Sequence, residues 1–309
     1  MLAILREISV TCFFSSYLVV LLLESLRLWR RIPGRGLSVI VMASIGLVTH
    51  AAYILMRANP ASVSGTEVGI LASWYDWSLM LSLVLASSFL FFFIRRPDTM
   101  VGFFFLPAIM GLIVLAWIFR DMPTFSRSEA TQFWTSLHAA SMLIGSVGVL
   151  LGFIAGCMYL AQSWRLKNKR AGSLFRLPTL ESLSRVNRRC LAISTTAVAG
   201  GLTAGIAMNL NQFGQVGLMD RTVFFSLLLL VWLLVATSLE FFYAPTSHSK
   251  KGIYITLVSL GFLILAMFGA LTTSHGQSGN GTNLGRESTS THPSSLPIHL
   301  SFSKNGETV

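Results

Sequence analysis

Three of the six histidines lie in or directly beside strongly apolar stretches, where an ionisable side chain is costly to bury. They are His50, His138 and His275. Neutral imidazole is a strong ligand for haem iron and for transition metals. The residues alone leave two interpretations open. In the first, each histidine hydrogen-bonds to a neighbouring helix or lipid headgroup. In the second, the three histidines contribute to one shared ligand site.

The stretches that carry these histidines are long enough to span a membrane, which takes about 20 apolar residues per helix. Hydrophobic residues make up 53% of the 309 residues and charged residues only 11%, too little charge to cover a soluble core. Eight apolar runs occur, at 9–27, 37–56, 74–94, 101–118, 133–162, 190–210, 222–243 and 253–273. The sequence predicts an all-α, polytopic membrane helical bundle of about eight transmembrane helices.

Charge predicts the orientation of this bundle. Most of the 23 Lys and Arg residues fall in the four loops after the first, third, fifth and seventh runs. Basic loops stay in the cytoplasm, so both termini are expected outside the cytoplasm. The net charge of +11 then reflects orientation and contact with membrane lipid, and no nucleic acid partner is expected. In this orientation all three histidines lie towards the outer face.

The longest basic loop, 163–189, precedes the sixth run. Pro178 interrupts any helix from the fifth run, and Thr179 followed by Glu181 is typical of a new helix start. The pattern predicts a short interfacial helix leading into the sixth run. Its positive charge serves topology and lipid contact, or alternatively binds a partner.

The composition changes after the last run. Residues 276–309 are rich in Gly, Ser, Thr, Asn and Pro and lack the apolar residues that would offset the entropy of ordering. The sequence therefore predicts a transmembrane domain over 1–275 and a disordered extracytoplasmic tail over 276–309.

Glycines follow His138 along the fifth run. Taking the angular step of an α-helix, Gly145, Gly152 and Gly156 fall within ~40° of His138 around the helix. Such a face either packs closely against another helix or leaves room for a flat ligand such as a porphyrin. The sixth run, with Gly201 and Gly205, is the expected packing partner.

Two acidic residues near the predicted cytoplasmic ends are expected to form ion pairs at the interface. Glu24 is expected to pair with Arg27, and Glu240 with Lys250 or Lys251.

Five segments of the chain form a recognisable set: Leu-His-Ala-Ala at 137–140, Arg-Leu-Lys at 165–167, Leu-Pro-Thr-Leu-Glu-Ser-Leu at 177–183, Gly-Phe-Phe-Phe-Leu-Pro at 102–107 and Ser-His-Gly at 274–276. Together they resemble the cytochrome c assembly family of membrane proteins, which includes CcsA/ResC, CcmC and the HemX-like branch. In that family, outward-facing histidines flank a tryptophan-rich, haem-handling segment. The corresponding stretch 211–221 contains no tryptophan, which places the chain closest to the HemX-like branch.

The resemblance implies a haem-handling accessory protein for cytochrome c maturation in a bacterial cytoplasmic (inner) membrane. Such a protein is not expected to be an enzyme. Non-covalent haem (heme) would bind at the outer face, with His138 and His275 as axial ligands and His50 as a membrane-embedded histidine of the site. Arg127 or Arg221 would pair with the propionates, since guanidinium binds carboxylates in bidentate fashion. The expected partners are other membrane proteins of cytochrome c maturation.

Two further hypotheses remain open at this stage. One is a non-haem membrane scaffold or regulator of tetrapyrrole synthesis that acts through the loop 163–189. The other is a small-solute transporter, which ranks last because the apolar runs offer few polar residues to line a path.

Overall fold

A computed structural model describes residues 10–27, 34–58, 71, 73–122, 132–168, 176–213, 221–242 and 250–272, all within the unit Met1–His275. Eight α-helices account for nearly all of them: α1 (Val10–Leu26), α2 (Arg35–Arg57), α3 (Trp74–Arg95), α4 (Gly102–Ile118), α5 (Gln132–Lys167), α6 (Leu180–Phe213), α7 (Arg221–Phe242) and α8 (Lys250–Thr272). Each helix coincides with one apolar run, and the prediction of an all-α membrane helical bundle is confirmed. The predicted tail, 276–309, lies outside the described residues.

Five of these helices are long and apolar enough to cross a membrane, namely α2, α3, α5, α6 and α7. The other three contribute shorter apolar helices, Val10–Leu26, Gly102–Ile118 and Ile253–Phe268. Large apolar side chains lie on the outside of the bundle, as at Val48 and Leu55. In water such a surface would be unfavourable, whereas lipid tails solvate it.

The helices pack as two bundles. In the N-terminal bundle, α1, α2, α3 and α4 each pack against the next, and α1 also packs against α4. The C-terminal bundle repeats this arrangement with α5 to α8, and α5 packs against α8. Among the described helices, α5 alone joins the two bundles, through contacts with α3 and α4. His50 and His138 therefore lie in different bundles.

Small residues set the spacing between α5 and α6. A Cβ added at Gly145 would lie 2.6 Å from Val198 Cγ2, and one at Gly148 would lie 2.3 Å from Ser194 Oγ. Lipid tails are as apolar as a leucine side chain, so helices in a membrane associate through close packing of this kind. The packing interpretation of the α5 glycines is confirmed, because Gly145 and Gly148 face α6, whereas Gly152 and Gly156 face α8.

The loops that follow α1, α3 and α5 meet at one end of the molecule, which we call the basic end. Arg27 donates to the carbonyl oxygen of Asp98 at 2.5 Å, and the Met100 amide donates to the carbonyl of Arg176 at 2.8 Å. Burial lowers the pKa of the Arg27 guanidinium, and the neighbouring positive charge of Arg35 lowers it further. The basic loops that the charge pattern grouped on one side of the membrane are thus in contact.

Glu24 forms its ion pair with Arg35, so the predicted pairing with Arg27 is wrong. The Glu24 side chain is fully buried, and a Cβ added at Gly102 would lie 2.9 Å from its Cγ. Arg27 lies one residue beyond α1 and reaches the α3–α4 loop instead. The ion pair therefore joins α1 to α2. It fits against α4 because Gly102 has no side chain at this point.

At the other end of the N-terminal bundle, which we call the opposite end, α2 is joined to α3. Arg57 donates to the Asp76 carboxylate at 2.5 Å, and the Tyr53 and Tyr75 hydroxyl oxygens lie 2.7 Å apart. Ser73 caps α3, because its Oγ accepts from the Asp76 amide.

Residue Thr179 starts α6 as predicted, since its hydroxyl accepts from the Ser182 amide at 3.3 Å. The helix predicted to lead into the sixth run is present, and it is continuous with that run, since α6 extends without a break from Leu180 to Phe213. Leu183, Asn187, Cys190 and Ser194 are all buried and recur at helical spacing. One buried face thus runs through the basic segment into the apolar run.

Candidate functional site

His138 lies in the second turn of α5, at the opposite end of the C-terminal bundle. Its Nδ1 atom lies 2.6 Å from the carbonyl oxygen of Gly201 on α6. A carbonyl oxygen can only accept a hydrogen bond, so Nδ1 carries the proton. The Nε2 atom of the neutral ring is therefore left with its lone pair, which is the form that binds a metal.

Two glycines of α6 make room for side chains of α5 at this level, Gly205 for the His138 ring and Gly201 for Met142. A Cβ added at Gly205 would lie 2.9 Å from His138 Nδ1 and 3.1 Å from its Cε1. At Gly201, one turn earlier, an added Cβ would lie 3.1 Å from Met142 Cγ. The four-residue spacing of these glycines matches one turn of helix and lets α6 approach the first turns of α5.

The last turn of α8 lies at about the level of His138. Gly152 of α5 faces Thr256 of α8, since an added Cβ would lie 3.1 Å from Thr256 Cγ2. His138 is fourteen residues before Gly152, and Thr272 is sixteen residues beyond Thr256 on the antiparallel α8. At a rise of about 1.5 Å per residue, both steps cover nearly the same height.

His50 belongs to the N-terminal bundle and is fully buried. Its ring is stacked on Phe13 with centroids 4.1 Å apart. Tyr17 Oη lies 3.4 Å from Nδ1, and Ser82 Oγ lies 3.5 Å from Nε2. Both ring nitrogens therefore have hydroxyl partners, as expected of a histidine packed in a core.

The structure does not bring His50 and His138 together. Among the described helices, α2 packs only against α1 and α3, whereas His138 faces α6. The prediction that puts His50 in one site with His138 thus has no support in the packing of the helices.

The other predicted site residues cannot be placed by their side chains. His275 and Arg127 lie outside the described residues, and Arg221 is described only as the first residue of α7. Within the described part of the chain, no three His, Cys, Asp or Glu side chains gather as a metal site.

The carbonyl oxygen of Gly201 is the functional group that the sequence did not reveal. Its only signal was the Gly-x-x-x-Gly spacing of Gly201 and Gly205, which predicts close packing without naming the partner. The residues present fit haem as far as one iron ligand, because His138 offers an oriented imidazole whose Nε2 is unprotonated.

No protein-family model matches the sequence, and no curated protein matches it. The function is therefore inferred from the geometry around His138 and from the resemblance of the sequence segments described above.

Proposed function

We propose that this membrane protein is a haem-handling accessory protein of cytochrome c maturation, which binds or presents haem at the outer face of a bacterial cytoplasmic membrane. One observation carries the proposal. The Nδ1 proton of His138 is held by the Gly201 carbonyl at 2.6 Å. Histidines that ligate metals nearly always donate their other ring N–H to a carbonyl or carboxylate, which fixes the tautomer and turns Nε2 to the metal.

In this proposal His138 is one axial ligand, and Gly201 and Gly205 position its ring. These residues would hold the haem so that it could be passed on, intact, to an apocytochrome. His275 is proposed as the second ligand, and the level of the last turn of α8 supports this assignment. Arg127 or Arg221 would hold the propionates through bidentate hydrogen bonds.

The role of the chain's own residues is to bind and orient, so the protein is proposed not to be an enzyme. His50 is reassigned from the site to the core of the N-terminal bundle, since both of its ring nitrogens are engaged. The outer position of His138 follows from the charge pattern, which assigns the basic end to the cytoplasm. Partner membrane proteins of cytochrome c maturation would receive the haem on the outer side.

Complementation of a deletion strain tests this function. Covalent cytochrome c should fall on deletion and recover with the wild-type chain, and it should stay low with His138→Ala. His50→Ala, which removes a histidine outside the proposed site, should restore cytochrome c if the variant reaches the membrane in normal amount. Unchanged cytochrome c on deletion would overturn the proposal.

A second candidate function is supported by the exposed basic face at the start of α6. Arg185 is exposed and pairs with Glu181 one turn earlier, and Arg189 is exposed as well. Arg188 instead packs over the Phe241 ring at 4.1 Å. This face would serve a non-haem scaffold or regulator of tetrapyrrole synthesis.

Charge reversal separates the two candidates. The double change Arg185→Glu and Arg189→Glu should abolish capture of tetrapyrrole-synthesis proteins if α6 is the active surface, while His138→Ala should have no effect. Arg120→Glu, at an exposed basic residue of the opposite end, is the matched control. Normal capture by the double variant would eliminate the scaffold function.

A further inference from the structure

Arginines from separate segments of the chain meet at the basic end. The Arg27 guanidinium, just beyond α1, donates to the carbonyl oxygens of Asp98 at 2.5 Å and Thr99 at 3.5 Å. The next residue, Met100, donates its amide to the carbonyl oxygen of Arg176 at 2.8 Å. Arg27 and Arg176 are thus held against the same three consecutive residues of the α3–α4 loop.

Arg35, at the start of α2, adds a third guanidinium to this group. Burial lowers the pKa of the Arg27 guanidinium, and the nearby positive charges of Arg35 and Arg176 lower it further, whereas the carboxylates of Glu24 and Asp98 raise it. Arg35 and Arg176 therefore both lie within electrostatic range of Arg27. We call Arg27, Arg35 and Arg176 the arginine cluster.

The arginine cluster carries more positive charge than its neighbours neutralise. Arg35 pairs with the fully buried Glu24, whereas Arg27 and Arg176 form no ion pair within the described part of the chain. The two hydrogen bonds of Arg27 to carbonyl oxygens leave three of its five N–H groups for another acceptor. Three guanidiniums against the two carboxylates, Glu24 and Asp98, leave one positive charge for an anion to neutralise.

Exposed apolar side chains lead to the arginine cluster from the membrane side. Leu22 and Leu26 lie one turn apart at the end of α1, and Phe91 and Ile94 are exposed near the end of α3. The charge pattern assigns the basic end to the cytoplasmic surface, where lipid headgroups lie directly beyond the acyl chains. A phospholipid at this place meets apolar side chains with its tails and guanidinium groups with its phosphate.

We propose that the arginine cluster binds the headgroup of an anionic phospholipid from the cytoplasmic leaflet. Guanidinium groups form charge-assisted, bidentate hydrogen bonds with phosphate oxygens. A phosphodiester carries one negative charge, which matches the one that the cluster leaves unneutralised. A zwitterionic lipid adds an ammonium group that the cluster repels, so the site favours a headgroup such as that of phosphatidylglycerol. The site lies at the end away from His138 and is independent of the proposed haem function.

Native mass spectrometry of the delipidated full-length chain, titrated in detergent with phosphatidylglycerol or phosphatidylethanolamine, tests the proposal. The wild-type chain should bind phosphatidylglycerol several-fold more tightly than phosphatidylethanolamine. Arg176→Gln removes an exposed guanidinium, so the variant should fold, and its affinity for phosphatidylglycerol should fall roughly fivefold or more. Arg189→Gln is the matched control, because it removes an exposed arginine of α6 outside the cluster, and it should leave the affinity unchanged.

The melting temperature gives a second readout, because a ligand that binds only the folded chain stabilises it. Phosphatidylglycerol should raise the melting temperature of the wild-type chain and of Arg189→Gln, and it should raise that of Arg176→Gln less. Equal affinity for the two lipids, or equal affinity of the two variants for phosphatidylglycerol, would overturn the site. Excess inorganic phosphate should leave the lipid bound, and its displacement by phosphate would contradict the assignment to a lipid.

Discussion

The chemistry open to His138 depends on which ring nitrogen carries the proton. The Gly201 carbonyl holds the proton on Nδ1, and Gly205 leaves the space in which the ring lies. His50 has the opposite character, since hydroxyl groups engage both of its nitrogens inside the N-terminal bundle. Two histidines in similar apolar sequence thus differ in their hydrogen bonding because their neighbours differ.

Substitution of Gly205 by alanine tests whether this glycine positions the His138 ring. The new Cβ would lie 2.9 Å from His138 Nδ1, so the ring must move and its hydrogen bond to Gly201 must weaken. We expect Gly205→Ala to reduce the haem retained after purification several-fold and to lower the melting temperature.

Gly200→Ala is the matched control on the same helix, because its added Cβ meets nothing closer than 3.9 Å. This variant should keep its haem and gain about 0.5–1 kcal/mol from helix propensity. Equal haem retention by the two alanine variants would show that Gly205 has no positioning role.

At the scale of helices, the apolar runs and the cap at Thr179 were predictable because they depend on local sequence. The ion pair of Glu24 was not, since its partner Arg35 lies in a different helix from Glu24 and competes with the nearer Arg27. The buried Glu24 side chain faces the space beside Gly102, and there it forms its ion pair with Arg35 rather than with Arg27. Pairing of this kind depends on tertiary packing, which residue spacing does not encode.

Removal of Arg35 tests the importance of that pair. Arg35→Ala leaves the fully buried Glu24 carboxylate without its partner, which costs about 3–5 kcal/mol of unfolding free energy. Arg185→Ala breaks the exposed pair with Glu181 and should cost only about 0.3–0.5 kcal/mol. Denaturant unfolding in detergent micelles measures both, and a loss no larger for Arg35→Ala than for Arg185→Ala would contradict the account of the basic end.

At the scale of the whole molecule, the sequence predicted the number of helices and the grouping of the basic loops. It did not predict two four-helix bundles joined by α5, because helix partners are chosen by contacts such as that of Gly148 with Ser194. The candidate site was predictable only as a histidine near the end of a helix. The separation of His138 from His50 follows from the division into bundles.

Cysteine labelling tests the orientation of the bundle in the membrane. In a chain whose Cys12, Cys157 and Cys190 are replaced by alanine, Arg96→Cys should react with a membrane-impermeant maleimide only after permeabilisation. Asp121→Cys should react in intact cells, because its helix end lies opposite the basic end. The reverse pattern would place His138 at the cytoplasmic face and contradict haem presentation outside.

The absorption spectrum of the purified protein tests the central claim most directly. Wild-type protein from haem-replete cells should show the Soret and visible bands of low-spin haem with two imidazole ligands. His138→Ala should lose this spectrum, and His50→Ala should keep it, because His50 lies in the other bundle. A haem-free wild-type protein, or a His138→Ala variant with the wild-type spectrum, would contradict the proposal.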